Sequence, residues 1–144
     1  MRVLIQRSDK AQVTVSEEVV GKIKQGLVVL VGFTDGDTLD KIKYLAKKVV
    51  NLRIFPDEAG IMNKSLLDVK GEILLVSQFT LYANCDKGNR PSYINAMKGE
   101  EASKYYDMFT KELQKYVPVA TGKFGADMEV SFTNIGPTTI YLER

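Results

Sequence analysis

The sequence predicts a single α+β domain, residues 1–144, with a mostly antiparallel, curved or barrel-like sheet and two main helices. Three observations carry this expectation. Runs rich in β-branched residues, punctuated by Gly21 and Gly26, fill the first third of the chain and return at its end. Two stretches, one in each half, repeat apolar residues at helical spacing. At 144 residues and 44% hydrophobic content, the chain has the size of one compact core, with no repeat, low-complexity segment or interdomain linker.

The strands come first. Arg2 to Arg7, Gln12 to Val15, Val19 to Ile23 and the apolar run Leu27 to Val31 form a meander that stops at Gly32. Asp37 or Thr38 caps a helix with Leu39, Ile42, Leu45, Ala46 and Val49 on one face. Its opposite face, with Lys41, Lys43, Lys47 and Lys48, reads first as solvated surface. Leu52 to Phe55 is a short strand stopped by Pro56, and Asp57 to Gly60 a turn. Glu72 to Leu81 is the strongest central strand, and Asn84 to Ser92 follows as a polar loop of basic flavour, either a phosphate contact or surface. A second helix spans about Glu100 to Val117; its tyrosines keep the 3.6-residue period and so belong to a core or dimer contact. After a tight connection over Thr121 to Ala126, Met128 to Phe132 and Thr138 to Leu142 are the last strands, separated by Gly136-Pro137.

Composition narrows the chemistry. The 20 Lys+Arg nearly balance the 18 Asp+Glu, so the net charge of +2 neither demands nor excludes a nucleic-acid partner. No apolar run has the length of a signal peptide or a membrane span, so a soluble, intracellular protein is expected. The single cysteine, Cys85, agrees with a reducing compartment. There is no histidine, which removes Ser-His-Asp and Cys-His catalysis, histidine-bearing zinc sites and the commonest proton shuttle near neutral pH. Catalysis, if present, falls to hydroxyls, carboxylates, lysines, backbone amides or groups on the substrate. No Asp or Glu spacing forms a metal-ligand set.

Two segments stand out. Ser77, Gln78 and Thr80 put polar groups into a strand that is otherwise apolar, and a buried hydroxyl or amide without a partner costs about 1–3 kcal/mol. They either line a site or satisfy the backbone at a strand end. Strict alternation would set Ser77 and Phe79 on one face, and Gln78 and Thr80 on the other, unless a strand end or bulge intervenes. Gly136-Pro137 interrupts the final strand pattern, offering carbonyls without a side chain or a proline N–H. It is either a turn between strands or a backbone element aimed at a ligand.

Five segments stand in order along nearly the whole chain: Gln6-Arg7 with Ala11, Ser77 to Leu81, Lys87 to Tyr93, Gly122 to Met128, and Asn134 to Thr139. Together they resemble the D-aminoacyl-tRNA deacylases of the bacterial and eukaryotic type, editing enzymes that hydrolyse D-amino acids from tRNA. One position departs: Ile135 stands where the family usually has an aspartate. The resemblance implies a cytoplasmic homodimer acting on the aminoacyl-tRNA 3′ end, with no cofactor and no metal. It implies that Gly136-Pro137, with a cis bond, enters the partner's active site and excludes L-side chains by collision with its carbonyl oxygens. Such a filter would not fully reject glycine, including glycine mischarged on tRNA(Ala). Arg7 resembles the arginine that braces this loop, its other reading being an exposed ion pair. Ser77, Gln78, Phe79 and Thr80 would line the catalytic pocket. Phe124 and Met128 would help hold the terminal adenosine, or serve as ordinary core.

An unaided threonine hydroxyl is a poor nucleophile, so the reading favours backbone amides along Gln78-Phe79-Thr80 orienting the ester while the substrate's 2′-hydroxyl assists water. Two competing classes fit the same residues: a non-catalytic dimeric tRNA-binding module, and a small-molecule esterase with Thr80 or Ser77 as nucleophile.

Overall fold

The computed structural model describes residues 1–144. The elements run β1 (Arg2–Val15), β2 (Glu18–Ile23), β3 (Gly26–Gly32), α1 (Leu39–Asn51), β4 (Phe55–Pro56), β5 (Met62–Lys64), β6 (Glu72–Ser77), a 3₁₀ turn (Phe79–Tyr82), α2 (Gly99–Gln114), β7 (Val119–Thr121) and β8 (Glu129–Glu143). The expected α+β class with two helices and a mostly antiparallel, barrel-like sheet is what forms.

β1 organises the sheet by changing partners along its length. Arg2 to Ser8 pair antiparallel with β3, Ala11 to Val15 pair antiparallel with β2, and β8 runs antiparallel along the other edge. The two short strands expected over residues 2–15 are therefore one, and the polar Ser8-Asp9-Lys10 between them marks the change of partner. The β1–β2 hairpin turns on Ser16 and Glu17, both with positive φ, which matches the twist of the flanking strands. β3 and β7 each pair parallel with β6, through crossovers that carry α1 and α2. β2 closes toward β7 so tightly that a Cβ on Gly21 would collide with the Thr121 carbonyl, leaving the sheet nearly a barrel.

The strand period divides the core in two. Leu27, Val29, Val31, Ile73 and Leu75 face α1 and α2 in the larger cluster, whereas Val28, Leu74 and Val76 face the sheet interior with Ala11, Val13 and Ile23. Burial on both faces explains the continuous apolar runs of β3 and β6. Thr38 caps α1, its hydroxyl accepting from Lys41 N. Asp37 is not the cap; its buried carboxylate meets the Met1 ammonium at 2.7 Å and accepts from Thr34 N.

Four boundaries differ from expectation. Leu52 ends α1, its N–H donating to the Lys48 carbonyl, and Pro56 belongs to the two-residue β4 instead of stopping a strand at Phe55. β6 ends at Ser77. α2 stops at Gln114, the chain continuing through a turn to Val117. The last two strands are one, β8, with Gly136-Pro137 inside it. Proline is tolerated there because β8 has only β1 as neighbour and its register shifts at this point.

Candidate active site

The end of β6 makes the site. Gln78 N–H donates to the Val31 carbonyl at 2.7 Å, tying the strand end to β3, and the chain then tightens into the 3₁₀ turn. Strand alternation therefore stops at Ser77, and the expected division of Ser77 and Phe79 from Gln78 and Thr80 does not hold. Behind this turn, Tyr106 of α2 donates its hydroxyl to the Leu75 carbonyl at 2.8 Å. Burial, with a smaller effect from Asp107, raises that phenol above its ordinary range and keeps it a neutral donor.

Next to the turn lies a cavity of about 570 Å³. Ser77, Gln78 and Phe79 form one wall, and Phe124 and Met128 another. Phe124 and Met128 each pack against a core cluster and also line the cavity. Thr80 is exposed and is not part of the lining; its hydroxyl accepts a hydrogen bond from the Gln78 side-chain amide. That amide is a donor and not a base, and no carboxylate bonds the hydroxyl. The N–H groups of Phe79 and Thr80, by contrast, have no acceptor in the chain, while that of Gln78 is used by β3. The turn thus offers two free backbone donors where the sequence suggested three.

Tyr93, Met97 and Asp127 also line the cavity and were not among the candidates. Tyr93 stands edge-on to Phe79, with ring centroids 4.9 Å apart and planes at 71°. Its signal was its place at the end of the Lys87 to Tyr93 segment, as an aromatic closing the polar loop after Pro91-Ser92. No group of three Asp, Glu or Cys gathers in a metal-holding arrangement.

Gly136-Pro137 sits elsewhere. Its peptide bond is cis, and Gly136 has φ +120°, a conformation that disfavours L-side chains. Arg7 makes no ion pair; it donates from Nε to the Ile135 carbonyl at 3.2 Å and from Nη1 to the Ile54 carbonyl at 2.6 Å. Asn134 closes the segment, its Oδ1 accepting from Thr138 N at 2.7 Å and its Nδ2 donating to Thr139 Oγ1 at 2.9 Å. The bracing thus uses the backbone carbonyl of residue 135, and the exposed Ile135 side chain in place of the family aspartate breaks none of these bonds. Along the sheet, Arg7 pairs with Leu27 and so stands near the Glu72 end of β6, whereas the cavity opens at the Ser77 end. Five residues of strand, roughly 17 Å, separate the two ends.

Comparison with known proteins converges on one family. Residues 4–143 match the family model described as D-Tyr-tRNA(Tyr) deacylase. The chain is 54% identical to a D-aminoacyl-tRNA deacylase of Bacillus cytotoxicus and 56% identical to one of Lactobacillus gasseri, each over 99% of both chains. Among solved structures it is similar to a c-Myc DNA unwinding element binding protein, with a TM-score of 0.95 and 42% identity over 100% of this chain and 99% of the other. A probable eukaryotic D-amino acid tRNA deacylase shares the fold at a TM-score of 0.84 and 20% identity, covering 98% and 97% of the two chains.

Proposed function

We propose, from the premise that this chain belongs to the D-Tyr-tRNA(Tyr) deacylase family and is a hydrolase of D-aminoacyl-tRNA esters, that it proofreads chirality in a two-subunit site. The terminal adenosine enters the cavity between Phe124 and Met128, with the ester carbonyl over the 3₁₀ turn. The free N–H groups of Phe79 and Thr80 hold the developing oxyanion, a donor pair of the kind worth about 3–4 kcal/mol per donor in acyl transfer. Water attacks the carbonyl carbon with help from the substrate's 2′-hydroxyl, and the 3′-oxygen leaves with a proton, giving free D-amino acid and tRNA. Thr80 takes no covalent part. Gly136-Pro137 from the partner subunit excludes L-side chains; glycine passes the filter, so glycyl-tRNA(Ala) is also a substrate. The reaction takes place in the cytoplasm.

The observation that carries the shared site is the separation just described. The braced Gly136-Pro137 segment and the cavity stand at opposite ends of β6, so a ligand in the cavity meets no Gly-Pro from its own chain.

Mixing two defective chains tests this arrangement. One carries Gly136→Val, whose Cβ would crowd Thr138 Oγ1 and Arg7; the other carries Ala126→Trp, which fills the cavity. Neither alone is expected to deacylate with D-selectivity, whereas mixed dimers contain one intact site and regain part of the activity. Absence of any regain, with mixed dimers present, contradicts a shared site.

A further inference from the structure

A second concave site lies at the Glu72 end of the sheet. It is a groove of about 680 Å³ where β1, β2 and β8 come together, and Lys10, Lys22 and Lys24 converge on it. None of the three forms an ion pair. The one carboxylate in the lining, Glu72, accepts the Lys24 backbone N–H at 2.7 Å. Gln12, Ser131 and Thr133 add exposed polar side chains, with Ala11, Ile23 and Phe132 as the apolar floor. In a chain of net charge +2, three ammonium groups against the single carboxylate of Glu72 leave this one groove locally positive.

We infer that this groove binds the sugar-phosphate backbone of the tRNA substrate, next to the terminal nucleotide. The inference rests on the deacylase reading above. The catalytic cavity, at about 570 Å³, accommodates a nucleoside with its amino acid and little more, so the phosphates of the 3′ strand must run over the surface. The groove lies beside the chirality segment: Thr133 lines it, and Gly136 follows three residues later, about 10 Å along an extended strand. A substrate whose aminoacyl group meets Gly136-Pro137 therefore has its neighbouring phosphates within reach of Lys10, Lys22 and Lys24. Lysine suits this task, since mobile point charges hold a backbone without reading its bases. The groove would add affinity common to all tRNAs and leave the chemical step unchanged.

The test compares the wild-type chain with the triple variant Lys10→Gln, Lys22→Gln, Lys24→Gln in deacylation of D-tyrosyl-tRNA over a range of salt concentrations. A control triple variant replaces the exposed Lys43, Lys47 and Lys111 with Gln. With the groove binding phosphate, the first variant shows KM raised about tenfold or more at low salt and kcat at saturating tRNA retained. The slope of log(kcat/KM) against log salt becomes shallower by about 2, three contacts at about 0.7 each on single-stranded RNA. The control stays near wild type. An unchanged slope and KM, an equal effect in the control, or a fall in kcat without a change in KM each overturn the groove while leaving the deacylase reading intact. A wild-type chain that cleaves no D-tyrosyl-tRNA overturns both.

Discussion

The hydroxyl of Thr80 accepts from Gln78 and faces no base, while two backbone N–H groups beside it remain free. At the scale of single residues this separates a nucleophile from a scaffold. Thr80→Ala keeps the backbone donors, so most single-turnover activity on D-aminoacyl-tRNA should survive; complete loss in a folded variant would assign the hydroxyl a chemical role. Residue types alone did much of this work, because a chain without histidine leaves few activators for a hydroxyl. What they could not supply was the count of free amides, which depends on Gln78 N–H being taken by Val31 across the sheet. Tyr93 escaped for a similar reason, since its place against Phe79 is a contact between segments distant in pattern. Arg7 and Gly136-Pro137 were legible as a pair through their resemblance, although the ion-pair alternative for Arg7 gave way to two backbone carbonyls.

Among the elements, β3 and α1 could be read almost directly, from a run buried on both faces and an apolar stripe behind a threonine cap, although Leu39 at the start of that stripe is exposed and Val50 is buried in addition to Ile42, Leu45, Ala46 and Val49. β6 and β8 could not. Glu72 to Leu81 has no local breaker, and only tertiary bonds turn the strand into a 3₁₀ turn beside the cavity. In β8 the local breaker is present and the strand continues, because an edge strand with a shifted register has no ladder bond to lose. The far end of β8 is fixed to β1 by Arg2, Tyr141 and Glu143. The Tyr141 hydroxyl donates to Glu143 at 2.7 Å, and with the Arg2 guanidinium it holds that carboxyl below the usual carboxylate range. The Tyr141 phenol is itself raised to about 12, first by burial and then by this bond. A carboxyl depressed on folding stabilises fully above its unfolded value of about 4.3 and loses that contribution as pH falls through the lower folded value. Glu143→Gln should therefore lower Tm slightly at neutral pH, by no more than about 1 kcal/mol of stability given the pair's exposure. The deficit should close in acid; one that persists there would mean the cost is packing and not charge.

At the scale of the whole molecule, one curved sheet separates three features. The Ser77 end carries a cavity with free amides, the Glu72 end carries a lysine groove, and the Gly136-Pro137 segment stands beside the groove and away from the cavity. The class of fold followed from β-branched runs and two amphipathic stretches, but this distribution depends on β1 changing partners at Ser8 to Lys10 and on the twist that brings β2 to β7. In the proposed function, selection and chemistry fall to these different parts of the chain, and chirality is the property on which they must cooperate. The most direct measurement is hydrolysis of D-tyrosyl and L-tyrosyl esters of one and the same tRNA by the wild-type chain at equal concentration. The account predicts rapid release of D-tyrosine with the L-ester left at its spontaneous rate; equal cleavage of both esters, or protection of both, would contradict it.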